Sequence, residues 1–475
     1  MIIQKLKALP QGAKASISFF LASIVTKGIS YLVMPIYTRI LPVEVFGQTS
    51  IFMTWLEIFG IFAMFCLSYG VFNNGMLENP NNRDEYSFSM LILSNIITVT
   101  FTIGLVAIYP YVKDYVGIDL PLILLMCVVF MFQPAFNFWS TRQRYELKYK
   151  SMVFWSILSA IASPVLAVLC ILTTEVGKLH ARIFGAEFPL IVMYVGFYIY
   201  LAIKSRFKVE TKFWKEAVRF NLPLIPHYLS IYLLGNAIKL MVSNIAGDEA
   251  AAYYSVASSV ASITLVVWTA INSSLVPYTY EKCQKKEYKA VSDVAIPILM
   301  VFGTMCIMVS LLAPEVVAVM TTSEYAESIY AIPPIVGGVF FQVQYFLYAN
   351  IVYYYKKPKY VMYASITAVV INFLLGSFLI KQFGYLAAGY STLICYLVQA
   401  ILDYLAMKKV VKEEVYNMKQ VGLISMIVLL TSTLSGLLYS NVYVRYGLFL
   451  LLGAILLLFG RKILAVVKKT KGVDV

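Results

Sequence analysis

Long apolar stretches follow one another along the whole chain, separated by short polar connections. They run at 15–38, 46–72, 87–109, 120–140, 151–173, 185–203 and 222–245, and then at 251–276, 291–313, 329–354, 360–380, 385–407, 421–439 and 446–460. At about 1.5 Å per residue most of them cross a hydrocarbon layer of ~30 Å with room for tilt, and the last is short. The pattern predicts an all-α polytopic membrane protein with about fourteen transmembrane helices.

The polar connections are not alike. Thirty of the 38 Lys and Arg residues fall in every second gap, six fall in the gaps between, and Lys27 and Lys239 lie inside apolar stretches. With the acidic residues counted, one side carries +18 and the other −4, and the four buried charges Lys27, Lys239, Glu57 and Asp403 cancel. Basic residues on alternate connections face the cytoplasm. An even number of spans then puts both termini there, as expected for a multi-pass protein of a bacterial inner membrane. The net +14 charge is spread over short loops, which offers nucleic acid no compact basic domain and suits orientation and contact with anionic membrane lipid.

Composition agrees: 60% of residues are hydrophobic and mean hydropathy is +0.79. The first apolar run continues for about 24 residues with no small-residue cleavage site behind it, so a cleaved signal peptide is not expected. Five of the six Cys fall inside spans and Cys283 in a basic loop, without disulfide or zinc spacing. The longest polar connection, 204–220, is too short for an inserted soluble domain, and no Walker loop, HExxH, GxSxG or CxxC occurs. The chain is therefore expected to be no enzyme and to hold no cofactor; movement of something across the bilayer is what remains.

Two internal echoes organise the spans. The turn Arg39-Ile-Leu-Pro-Val-Glu44 through Ser50 matches Asn244-Ile-Ala-Gly-Asp-Glu249 through Ser255 at Ile, Glu and Ser, and Lys148 through Ser156 parallels Lys357 through Ser365. They give a six-span parallel repeat: an N-lobe at 1–205, a C-lobe at 206–410, and two further helices with a basic tail at 411–475. Two-lobe transporters place their substrate between the lobes near the midplane.

The stretch Lys27-Gly-Ile-Ser-Tyr-Leu-Val-Met-Pro-Ile-Tyr-Thr-Arg39, continuing to Gly47, resembles the first hairpin of the polysaccharide-transport branch of the MOP superfamily, whose best-known members are Wzx-type O-antigen flippases. Asn221-Leu-Pro-Leu-Ile-Pro-His-Tyr-Leu-Ser230 is similar to the start of that family's seventh span, and Ala251-Ala-Tyr-Tyr-Ser-Val-Ala257 to its eighth. The resemblance spans the whole length. It implies outward flipping of a polyprenyl-pyrophosphate-linked oligosaccharide, with a polysaccharide polymerase and chain-length machinery as further partners. A MATE-like drug or cation antiporter and a lipid II-type flippase are the alternatives, and coupling to H+ or Na+ stays open.

An anionic headgroup needs a cation at depth. Lys27 lies roughly 18 Å inward from Arg39, too deep for easy snorkelling, and Glu57 lies roughly 16 Å inward from Gly47 on the next antiparallel span. The two are expected at similar depth, either as a structural pair or with Lys27 on the substrate. The lipid II flippases resemble this chain in carrying an arginine where Lys27 aligns; a lysine keeps the charge without the bidentate fork. Lys239, some seven residues from the outer end of its span, is the next candidate. Arg39 at the outer rim, His227 directly after Pro226 and close to Pro223, and Asp403 close to Lys408 are secondary ones.

Overall fold

The computed structural model describes residues 11–68, 70–146, 148–454 and 456, with the side chains of all of these except 11–17, 20, 227 and 231. Every regular element among the described residues is helical. The chain forms two compact units, Met1–Leu229 and Ser230–Val475. The first holds α1 (Gln11–Ile40), α2 (Val43–Ala63), α3 (Gly70–Glu78), α4 (Arg83–Val116), α5 (Leu120–Tyr145), α6 (Tyr149–Thr173), α7 (Lys178–Lys204) and α8 (Lys212–Asn221). Helix α9 (Ile225–Ala246) begins there, and the second unit continues with α10 (Asp248–Gln284), α11 (Tyr288–Leu311), α12 (Ala313–Met320), α13 (Ile332–Tyr354), α14 (Pro358–Phe383), α15 (Leu386–Val411), α16 (Met418–Leu434) and α17 (Val442–Ala454).

Among the described residues twelve of these helices are long and apolar enough to cross a membrane. Helix α9, the seventh expected span, is 22 residues long, with the side chains of 227 and 231 outside those described, and α17 is a shorter apolar helix over its described residues. Residues 457–460 of the last expected span lie outside the described residues.

The second expected span, read as one run over 46–72, is broken. Helix α2 stops at Ala63, Phe65 and Cys66 take positive φ (53° and 51°), and α3 starts at Gly70. A break at membrane depth frees backbone carbonyls that have no water to meet, so protein must satisfy them. Three side chains do so. Thr98 Oγ1 donates to the Ala63 carbonyl at 3.0 Å, Asn221 Nδ2 to that of Phe65 at 3.0 Å, and Cys66 Sγ to that of Ile61 at 3.7 Å.

Around α3 the basic ends of the first unit are knit into one core. Phe72 stacks on Phe138 at 4.4 Å and Trp139 meets Phe197 at 4.3 Å. The Tyr86 ring presses on Gly75, where any side chain would overlap it, and its hydroxyl donates to the Val71 carbonyl at 3.1 Å. The connection at 204–220, expected as a polar loop, folds into the amphipathic α8: Ala217 is buried, and Trp214 Nε1 donates to the Ser89 carbonyl at 2.9 Å.

In the second unit α13 is the central helix, 89% buried over its apolar window, flanked by α15, α10, α11 and α16. Two of its polar side chains are paired within the unit: Gln344 Nε2 donates to Ser425 Oγ at 2.6 Å and Asn350 Nδ2 to Asn272 Oδ1 at 3.0 Å. Near the other end, Arg445 clamps Glu315 with two hydrogen bonds of 2.7 and 2.8 Å and also donates to the Leu311 carbonyl at 2.9 Å.

Candidate functional site

Helix α7 brings the charged groups of the first unit together. Its residue Arg182 lies over the Tyr37 ring of α1, 3.9 Å from the centroid, with Nε and Nη1 enclosed and without an acceptor among the described residues. Such a cation–π contact contributes about 2 kcal/mol when desolvated. Glu187, five positions on, is only 4% exposed and interacts electrostatically with Arg182 and with Glu57 of α2. Tyr194, buried two turns further along α7, feels both carboxylates. Arg182 and Glu187 thus share an enclosed region about 15 Å along α1 from Lys27, with the exposed Glu57 within electrostatic reach. The three together carry a formal charge of −1, which a bound proton or small cation would neutralise.

Lys27 itself is exposed on α1, and Glu57 is exposed on α2. The two are not joined: among the described residues no ion pair within 4 Å includes either one. The structural pair expected from their matched depth is therefore corrected. Glu57 lies within electrostatic reach of Glu187 and Tyr194 instead, and Lys27 is exposed.

The remaining candidates separate. Arg39 is exposed and donates from Nη1 to the Pro35 carbonyl one turn back at 2.7 Å. Lys239 in α9 donates to Asn236 Oδ1 at 3.4 Å and is half-buried. His227 belongs to α9, and its side chain lies outside those described. Asp403 was expected near the membrane interface because Lys408 follows closely; it is instead fully buried in α15, with both carboxyl oxygens lacking a hydrogen-bond partner among the described residues. An ionised group at such a place is expensive unless it gains a partner. Among the described residues no three His, Cys, Asp or Glu side chains are placed to hold a metal ion.

The sequence does not single out Arg182 and Glu187, because both lie beside the start of the 185–203 apolar run. Helix α7 begins at Lys178, a full two turns earlier than the apolar run, and carries both inside. An acidic residue within the first turn of an apolar run, Gly185-Ala-Glu187, was the available signal.

Comparison with known proteins adds the family. A polysaccharide biosynthesis protein family matches residues 13–282, more than half of the chain, and the MatE family matches residues 223–378. A protein of the Lsg locus of Haemophilus influenzae (strain Rd) is 19% identical over 374 residues, covering 75% of this chain and 88% of that protein. Among solved structures, the lipid II flippase MurJ in an inward closed conformation superposes with a TM-score of 0.64 at 14% identity, covering 95% of this chain and all of that one. An inward-facing multidrug resistance MATE family transporter of the MOP superfamily gives 0.62 at 13% identity, over 84% of this chain and 95% of that one. At these identities the two structures show a shared fold.

Proposed function

Because the chain belongs to the polysaccharide biosynthesis protein family, we propose that it is a flippase carrying a polyprenyl-pyrophosphate-linked oligosaccharide from the inner to the outer leaflet of a bacterial cytoplasmic membrane. What carries this reading is a polysaccharide-biosynthesis match over 13–282 in a chain built of membrane helices, with the same fold as a lipid II flippase. The basic connections lie in the cytoplasm. The pyrophosphate enters beside the open ammonium of Lys27, the sugars occupy the polar space, and the prenyl tail stays in lipid. Alternating access then exposes the glycan outside.

Export of an anion from an inside-negative cell is downhill by about 2.3 kcal/mol per charge per 100 mV, so the reaction needs no ATP. The Arg182, Glu187 and Glu57 cluster and the enclosed Asp403 are the places where H+ or Na+ would couple to the cycle. Those same carboxylates and the MatE match favour a cation antiporter as the second reading.

The Lys27 series separates the two. Glycan display at the cell surface is measured in cells lacking the native gene, with protein amount followed in parallel. Lys27→Arg is expected to retain part of the export, because charge survives while geometry shifts, and Lys27→Gln to abolish it at normal protein level. Full export by a well-expressed Lys27→Gln variant removes Lys27 from the substrate site. Unchanged glycan display when the whole protein is absent removes the flippase reading altogether.

A further inference from the structure

Outside the charged cluster, the first unit has a second feature built for a ligand. Helices α5, α6 and α7 enclose an open groove of about 900 Å³. Its basic mouth is set by Gln143, Glu146, Lys148 and Lys204, and its shaft by apolar and small residues such as Leu158, Ala162, Leu166, Val192 and Gly196. From Ser151 to Leu166 along α6 is roughly 22 Å, and from Lys204 to Phe188 along α7 roughly 24 Å. Half of a bilayer, headgroups included, is about 20–22 Å. The groove is therefore as deep as one leaflet, polar where the headgroups are and apolar toward the midplane.

The mouth is positive. The joined ends of these helices carry Arg142, Arg144, Lys148, Lys150 and Lys204 against Glu146, and Asp84 at the start of α4 reaches Arg142, five positive charges to two negative. The carboxylates are already used. Arg142 takes Asp84 and also Glu146 at 2.5 Å, and Lys148 reaches Glu146 at 2.6 Å. Lys204 sits 3.7 Å from Asp84 and donates to the Tyr200 hydroxyl at 3.1 Å, with its side chain 36% exposed; that of Lys148 is 61% exposed. Two ammonium groups thus flank an opening over an apolar shaft, with an excess of three positive charges around them. Basic pockets between membrane helices on the cytoplasmic side recognise anionic headgroups.

We propose that this groove holds one anionic glycerophospholipid of the leaflet on the basic side, its phosphate between Lys148 and Lys204 and an acyl chain along the shaft past Gly196. A neutral or zwitterionic headgroup leaves the positive excess unanswered. A polyprenyl carrier overruns a shaft one leaflet deep. None of Lys27, Glu57, Arg182 and Glu187 lines the groove, so this site is separate from the proposed substrate path. Glu187 and Phe188 are nonetheless adjacent in α7, one buried in the unit and the other in the groove wall.

The test needs no transport assay. Purified full-length protein is stripped of lipid in mild detergent and supplied with phosphatidylglycerol, phosphatidylcholine or polyprenyl phosphate, and bound lipid is counted by native mass spectrometry. One phosphatidylglycerol per chain, retained at least tenfold better than phosphatidylcholine and raising the melting temperature, is the expected result. Lys148→Gln with Lys204→Gln should cut that retention about tenfold, and the double arginine variant should keep it. Gly196→Trp should block it without unfolding, because a Cβ at Gly196 meets nothing within 4 Å. Equal retention of the two phospholipids, unchanged retention in these variants, or displacement of phosphatidylglycerol by polyprenyl phosphate overturns the proposal. A failed glycan-export experiment leaves it standing.

Discussion

Arg182 and Lys27 carry the same charge into the same unit and meet opposite surroundings. Arg182 is stacked on Tyr37 and balanced by Glu187, whereas Lys27 is exposed. The first is a structural cation and the second an available one. Removing one member of a buried charged set strands the other, and such losses cost on the order of 3–5 kcal/mol. Arg182→Met should therefore lower the melting temperature and the yield of folded protein, and adding Glu187→Gln should restore much of both. A double variant as unstable as the sum of the two single ones would show that they act independently. At this scale the sequence revealed depth and not contact. It marked Lys27 and Glu57 as deep, but nothing in their spacing could say that Glu57 lies within electrostatic reach of Glu187 rather than joined to Lys27. Asp403 shows the same limit, since counting residues from Lys408 gives distance from the membrane surface and says nothing about enclosure by α13 and its neighbours.

Helices were far more legible than their interruptions. The apolar run over 46–72 has no proline and no charge except Glu57, so nothing in its hydropathy marks the break at 64–69. The break is held by partners 30 or more residues away, Thr98 and Asn221, and tertiary hydrogen bonds leave no local pattern. Each replaces water for a carbonyl that has none. Thr98→Val, which keeps the shape, and Asn221→Ala should each destabilise the protein by about 1–3 kcal/mol. Thermal unfolding in detergent reads this directly, and no change in either variant would show that the freed carbonyls are satisfied otherwise. Helix α8 was hidden for the opposite reason: its charges made 204–220 look like a loop, while Trp214 and Ala217 dock its other face.

The helix ends also carry a pH-dependent clamp. Burial alone would raise the Glu315 carboxyl, but hydrogen bonds from Arg445 and Tyr446 outweigh it and hold the group below its usual value of 4.5. A carboxyl lowered by folding stabilises the protein above its unfolded value and loses that contribution as pH falls through the folded one. The link between α12 and the start of α17 should thus be intact at neutral pH and weaken progressively below about 4.5. Glu315→Gln should lower the melting temperature at pH 7 and flatten its dependence between pH 5 and pH 3. An unaltered acid profile in that variant would place the sensitivity elsewhere.

For the molecule as a whole, alternating basic connections and apolar lengths were enough to give an all-α membrane protein, because a bilayer constrains span length and charge placement more strongly than side-chain packing does, while the MOP-type fold was implied by the resemblance of 27–47, 221–230 and 251–257. What they could not give is cargo, which depends on a few side chains and on motion. The most direct measurement is translocation in proteoliposomes. Purified protein is reconstituted with a labelled polyprenyl-pyrophosphate oligosaccharide, and the fraction of glycan open to an added glycosidase is followed with and without an imposed membrane potential. Glycan protected at the start should become accessible many times faster than in protein-free vesicles. The movement should run faster when the potential draws the anion outward, and Lys27→Gln should abolish it. Accessibility no faster than in protein-free vesicles, from protein that instead expels a cationic dye against a proton or sodium gradient, would contradict the flippase reading.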